Sequence, residues 1–260
     1  MTDRNTSSSD IPALLSEAPL ARVLVQVRWP ELSNFDLENV AVTMARRLSD
    51  TFPLKRRDSE VQLVFTPAGP QQQANGFVHR LTSAAGDWAI SVGESFIALE
   101  TSAYQGHDDF IDRLRSALEA LVESAKIPVV ARIGYRYTNR ITGADDLARL
   151  SERFKPSVLG GVGDAPEGSA LVHSITESVY RLDTASLLVR SAQVGENESI
   201  DPTLAPVSEK SWILDLDAYD ESPRVGFTVD AVCERAKELA TIASAQFHAV
   251  TTAEFTKRYA

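Results

Sequence analysis

The sequence predicts an α+β fold built as a pseudo-duplication: two antiparallel sheets, each covered on one face by a long helix. Three observations carry that expectation. Alternation of apolar and polar residues with a period of two recurs in short stretches bounded by Gly, Pro and Asn. Asp108–Ala125 and Thr228–Phe247 each carry an apolar stripe at helical spacing. The elements run β-α-β-β-β-β-α over residues 11–128 and β-α-β-β-β-α over residues 129–260, with no repeat at the level of individual residues. An amphipathic helix and a half-buried sheet each need the other's apolar surface, so each half is read as a sheet with its own helix, the two packed as one unit. The polar stretch 1–10 has the composition of a disordered tail.

Taken in order, Ile11–Leu20 is a short amphipathic piece. Arg22–Trp29 alternates as a strand and stops at Pro30. Ser33 and Asn34 offer capping oxygens to a helix over Phe35–Ser49, whose stripe is Leu37, Val40, Ala41, Met44 and Leu48. Glu60–Phe65 reads as a strand, and the following PAGPQQQANG as a polar loop. Phe77–Ala84, Trp88–Val92 and Phe96–Thr101 form a meander with glycines in its turns. The helix Asp108–Ala125 has two acidic residues in its first turn, where the helix dipole favours them.

The second half opens on the least ordinary stretch of the chain, Val129–Ile141 (VVARIGYRYTNRI). Alternation puts Val129, Ala131, Ile133, Tyr135, Tyr137, Asn139 and Ile141 on one face and Val130, Arg132, Gly134, Arg136, Thr138 and Arg140 on the other. A short helix (Asp145–Phe154), a Gly-rich loop (Val158–Ser169), the strands Leu171–Leu182 and Ser186–Val194, a polar loop (Gly195–Lys210) and the strand Trp212–Tyr219 follow. Thr228–Phe247 is the closing long helix, with a last turn or two over Thr251–Tyr259.

Several functional classes are disfavoured. The formal net charge is -10, and each half stands at -5, which opposes the phosphate neutralisation that nucleic-acid binding requires. Cys233 is the sole cysteine, so an intramolecular disulfide is excluded and a thiolate metal cluster is not expected. No run of about 18 apolar residues occurs and the N-terminus lacks the apolar core of a signal peptide. A cytoplasmic protein without membrane contact and without a cofactor is the expectation.

Candidate chemistry is sparse. Arg132, Arg136 and Arg140, with Arg28 on a neighbouring strand and Asn139 nearby, form a ligand- or partner-binding candidate, because guanidinium forks take carboxylates or phosphates in bidentate fashion. Internal pairing competes with that reading: Asp215 and Asp217 share one face of WILDLDAYD and suit an arginine–carboxylate ladder across two strands. His79, His107, His173 and His248 are scattered singly, which argues against a metal site. His107 is more simply the start of a helix than a proton shuttle. LGGVGDAPEGSA (159–170) lacks the Gly-Lys-Ser/Thr ending of a phosphate loop and reads as a mobile loop, of the kind that gates a pocket on a rigid sheet. No catalytic residue set is predicted.

The segments APLARVLVQVRWP, FIALETSAYQGHDDF, PVVARIGYRYTNRI, WILDLDAYD and AQFHAVTTAEF span residues 18–255. Together they resemble a sporadically distributed bacterial family with an RYxNR core and no established activity. His107 in YQGHDDF stands where that family usually has an aromatic. The order of elements also resembles the helix-on-curved-sheet halves of the TATA-binding-protein-like group, a likeness of fold alone. The sporadic distribution implied by the first resemblance, with the absence of catalytic motifs, sets the functional expectation. It is a non-enzymatic interaction protein with a protein partner, of the kind found in toxin–antitoxin or phage-defence systems, with a homodimer also expected. The alternative is a binding protein or enzyme for a small anionic ligand, held in a pocket between sheet and long helix.

Overall fold

The computed structural model describes residues 18–66, 69–164, 166–201, 204–221 and 226–260, with residues 60–75 described at the backbone alone. The tail 1–10 and most of Ile11–Leu20 lie outside the described residues. In chain order the elements are β1 (Leu20–Arg28), α1 (Leu37–Arg47), β2 (Leu54–Thr66), β3 (Gly69–Thr82), β4 (Trp88–Gly93), β5 (Phe96–Thr101), α2 (His107–Val122), β6 (Arg132–Ile141), α3 (Ala144–Ala148), α4 (Leu150–Arg153), β7 (Ser174–Arg181), β8 (Ser186–Val194), β9 (Ser211–Asp220), α5 (Val229–Val250) and α6 (Ala253–Tyr259).

The strands form one nine-stranded antiparallel sheet, in the order β2-β3-β4-β5-β1-β6-β9-β8-β7, where the sequence suggested two sheets. The joint is β1 beside β6, with Val25 opposite Tyr135 and Val27 opposite Ile133. Alternation explains why these strands form and which way they face. Val23, Val25 and Val27, Ile133 and Tyr135, and Leu214, Leu216 and Ala218 are all sealed from solvent on one side. Each such aliphatic side chain stabilises by about 1.5–3 kcal/mol relative to exposure. The long helices α2 and α5 pack against each other over this side, α5 against β6 and β9, and α1 beside α2 and β4. The core follows from that layering: Phe110, Leu114 and Leu118 of α2 and Cys233, Ala236, Leu239 and Ala240 of α5 are buried with the sheet valines. Burial also raises the Cys233 thiol above its ordinary value.

Several boundaries differ from the sequence reading. The segment read as a polar loop, PAGPQQQANG, is largely strand: β2 and β3 pair as far as Thr66 opposite Gly69, with a bulge between Ser59 and Val61. Cross-strand pairing overrides the low strand propensity of Gln, Pro and Gly there; Pro67 and Ala68 lie outside the described residues. Asp36, not Ser33 or Asn34, caps α1, accepting from the Asn39 N–H at 3.0 Å. The helix expected over Asp145–Phe154 is broken into α3 and α4. The arginine strand begins at Arg132, since Val129 makes only an isolated bridge to Gly226. The start of the Gly-rich loop is folded into short 3-10 turns at 156–158 and 160–162. Gly160, at φ +52°, lets the backbone press on β7, because a Cβ there would sit 2.0 Å from Thr176 Oγ1.

Candidate functional site: the ion-paired open face

The side of the sheet opposite α1, α2 and α5 has a different chemistry. On β6 the residues turned that way are Arg132, Gly134, Arg136, Thr138 and Arg140; on β1 they are Arg22, Leu24, Gln26 and Arg28, and on β9 Ile213, Asp215, Asp217 and Tyr219. Antiparallel register brings Thr138 opposite Asp215 and Arg136 opposite Asp217. The Arg136 fork reaches one step along the strand: its Nε and Nη2 donate to the two oxygens of Asp215 at 2.5 and 2.7 Å. The Thr138 hydroxyl adds a third bond to the same carboxylate at 3.1 Å. Asp215 is completely sealed from solvent, which is tolerable only because its oxygens are satisfied in this way.

A second carboxylate arrives from a loop. Asp201 lies between β8 and β9 in sequence and settles over the face, where its Oδ2 is 2.8 Å from Arg136 Nη1 and 2.6 Å from Arg22 Nη2. Leu204 and Ile200 of the same segment pack on Ala192, Val194 and Ile213, a small apolar cluster separate from the main core. On the other flank Arg22 is 3.8 Å from Glu100 of β5, and Glu100 also bonds Arg80 of β3. A continuous chain of opposite charges thus runs from β3 to β9. Burial opposes the charged form of Arg136, but the hydrogen bonds and charges of Asp215 and Asp201 outweigh it and raise its pKa.

The glycine in the arginine row has a local reason. Arg132 lies along the sheet surface to bond Asp217 at 2.8 Å, and its guanidinium sits 4.7 Å above the Tyr219 ring. A Cβ on Gly134 would come within 2.6 Å of Arg132 Nη1 and 3.1 Å of Asp217 Oδ1. Gly134 is therefore the floor on which that pair rests. Burial raises the Asp217 carboxyl above its ordinary value, against the pull of Arg132 and Arg136.

The remaining candidates separate. Arg28 is exposed and has no ion-pair partner among the described residues. Arg140 donates from Nη1 to the Ala205 carbonyl at 2.7 Å, while its Nε and Nη2 are shielded and unbonded. Burial, and then the charge of Arg22, lower its pKa. Asn139 does not belong with the arginines: it is buried on the helix side, with Leu214 as its cross-strand neighbour. Asp201, Arg22 and Glu100 escaped the sequence reading as site residues. Alternation does place Arg22 on the arginine side, but a loop aspartate such as Asp201 has no periodicity to reveal it.

Elsewhere, His107 opens α2 with both ring nitrogens buried and unbonded near Tyr135, and burial lowers its pKa. His79 Nε2 lies 3.2 Å from Glu38 Oε1, out of line for a hydrogen bond. A cleft of about 320 Å³ lies between the segment before α1 and the end of α2, bordered by Asn34, Asp36 and Lys126, and none of the open-face arginines lines it. Among the described residues no group of three or more His, Cys, Asp or Glu side chains is placed to hold a metal ion, and no helix is long and apolar enough to cross a membrane. No protein-family model matches the chain, and no curated protein matches it significantly.

Proposed function

We propose that the chain is a non-enzymatic interaction protein whose open sheet face receives a protein partner. One observation carries this reading: Arg22, Arg132 and Arg136 are already neutralised from within by Asp215, Asp217, Asp201 and Glu100, so most of the face is an internally paired polar surface and not an empty anion trap. Arg28, exposed and without an acidic partner, is the contact left for an acidic group on the docking protein. The reading includes a duplicated architecture with TATA-binding-protein-like halves. Its support is the strand order, in which β1-β5-β4-β3-β2 and β6-β9-β8-β7 run outward from the central pair in the same sense.

The test is affinity purification of a tagged chain from its host, followed by native mass spectrometry. A stoichiometric second protein is expected, lost on Arg28→Glu while the fold is retained. A chain that elutes alone, with no self-association, sinks the reading. A second reading, an anionic ligand, rests on the unbonded Nε and Nη2 of Arg140. It predicts a raised Tm with carboxylate or phosphate compounds, and an unchanged Tm across such a panel removes it.

A further inference from the structure

The two edges of the sheet are built differently. β2, at one edge, begins Leu54-Lys55-Arg56-Arg57-Asp58 and is interrupted by a bulge, both of which discourage another strand from adding. β7, at the other edge, pairs with β8 through eight consecutive residues with no bulge, and SITESVYR contains neither Pro nor Lys. Ile175 and Val179 are 52% and 57% exposed on the open side, and Tyr180 and Leu182 are exposed at the same end of the strand. The hairpin fixes which backbone groups point outward. The Leu182 N–H donates to the Ala185 carbonyl at 2.8 Å across a two-residue turn, so even-numbered residues of β7 face β8. The N–H and C=O groups of Ile175, Glu177, Val179 and Arg181 then face away from the sheet, and no backbone group among the described residues bonds them.

We propose that β7 pairs antiparallel with β7 of a second copy, in the register that sets Val179 against Val179, joining two nine-stranded sheets edge to edge. The sequence of the strand selects this partner and this register. A twofold axis at Val179 places Glu177 opposite Arg181 twice on the open side, and Tyr180 opposite Ser178 twice on the helix side. Registers centred on Glu177 or on Arg181 instead bring like charges together at the axis. Arg181 is exposed and has no acidic partner among the described residues of its own chain, whereas Glu177 already accepts from Arg190 at 2.7 Å and has lone pairs to spare. The residues that meet are the outward-facing ones on both strands, as a hydrogen-bonded antiparallel pair demands. One strand pair buries less than a standard interface, so the dimer dissociates in the micromolar range.

Sedimentation velocity from about 1 to 200 µM tests this, a span that brackets micromolar affinity. The wild-type chain moves from its 28.4 kDa monomer mass toward twice that value. Arg181→Glu and Glu177→Arg each weaken the dimer by about tenfold or more, since each turns two opposite-charge pairs into like-charge pairs. Mixing the two variants restores association, because both cross pairs in the mixed dimer are again opposite in charge. Arg181→Glu is the cleaner single change, and its unchanged Tm shows that folding is not at issue. A wild-type chain that stays monomeric throughout overturns the proposal, as does a dimer indifferent to both substitutions or a mixture that fails to associate.

Discussion

A single strand, β6, shows two ways of holding a sheet together. Toward the helices, Ile133, Tyr135 and Ile141 are buried among aliphatic and aromatic neighbours, and what matters is volume. Toward the open side, Arg132 and Arg136 are held by Asp217, Asp215 and Asp201, and what matters is mutual satisfaction. Apolar burial adds up residue by residue. A buried ion pair is worth little in net terms and costs several kcal/mol when one partner is removed, because the survivor stays out of water without its counter-charge. The first face therefore supplies the stability, and the second supplies the condition that all of its members be present.

The largest expected effects test that contrast directly. Trp212→Ala, which empties the space beside Phe154, should cost about 3–5 kcal/mol in denaturant unfolding, and Asp215→Ala, which leaves Arg136 with Asp201 alone and its Nε and Nη2 unbonded, about 2–3 kcal/mol. The two faces part company in the double change Arg136→Met with Asp215→Leu: its cost should fall well below that of Asp215→Ala alone, toward zero. A double change as costly as the single one would show that the pair is a net source of stability and would break the comparison. Gly134→Ala should cost about 1 kcal/mol by displacing Arg132 from Asp217, and little when Arg132 is already alanine, a coupling that a double-mutant cycle measures. Arg28→Ala should leave stability within about 0.5 kcal/mol, as befits an exposed and unpaired side chain.

Much of this was legible in the sequence, and the reason is periodicity. Alternation in RIGYRYTNRI and WILDLDAYD fixes which side chains share a face, and two strands with complementary charge on one face are natural neighbours. The long helices were legible from their stripes, to within a few residues at Asp108–Ala125 and Thr228–Phe247. Asp201 was not, because a loop residue's position depends on how the loop settles, here through Leu204 and Ile200 on Ala192 and Ile213. The extension of β2 and β3 was missed for a related reason: its Gln- and Gly-containing residues pair because their partner strand is present, a preference no local window contains. Asn139 shows a limit of proximity in sequence, lying next to Arg140 yet on the other side of the sheet.

The position of β1 has a consequence for the chain as it is synthesised. β1 pairs with β5 and β6, so its two neighbours are residues 96–101 and 132–141. At roughly 5–20 residues per second, the first of those partners follows the end of β1 out of the ribosome only after about 4–15 s, and the second later still. For that interval the Val23, Val25 and Val27 row is an apolar strand with both edges open, made well before either of the strands that enclose it. High contact order of this kind slows folding and leaves the nascent chain dependent on whatever shelters exposed strands in the cell.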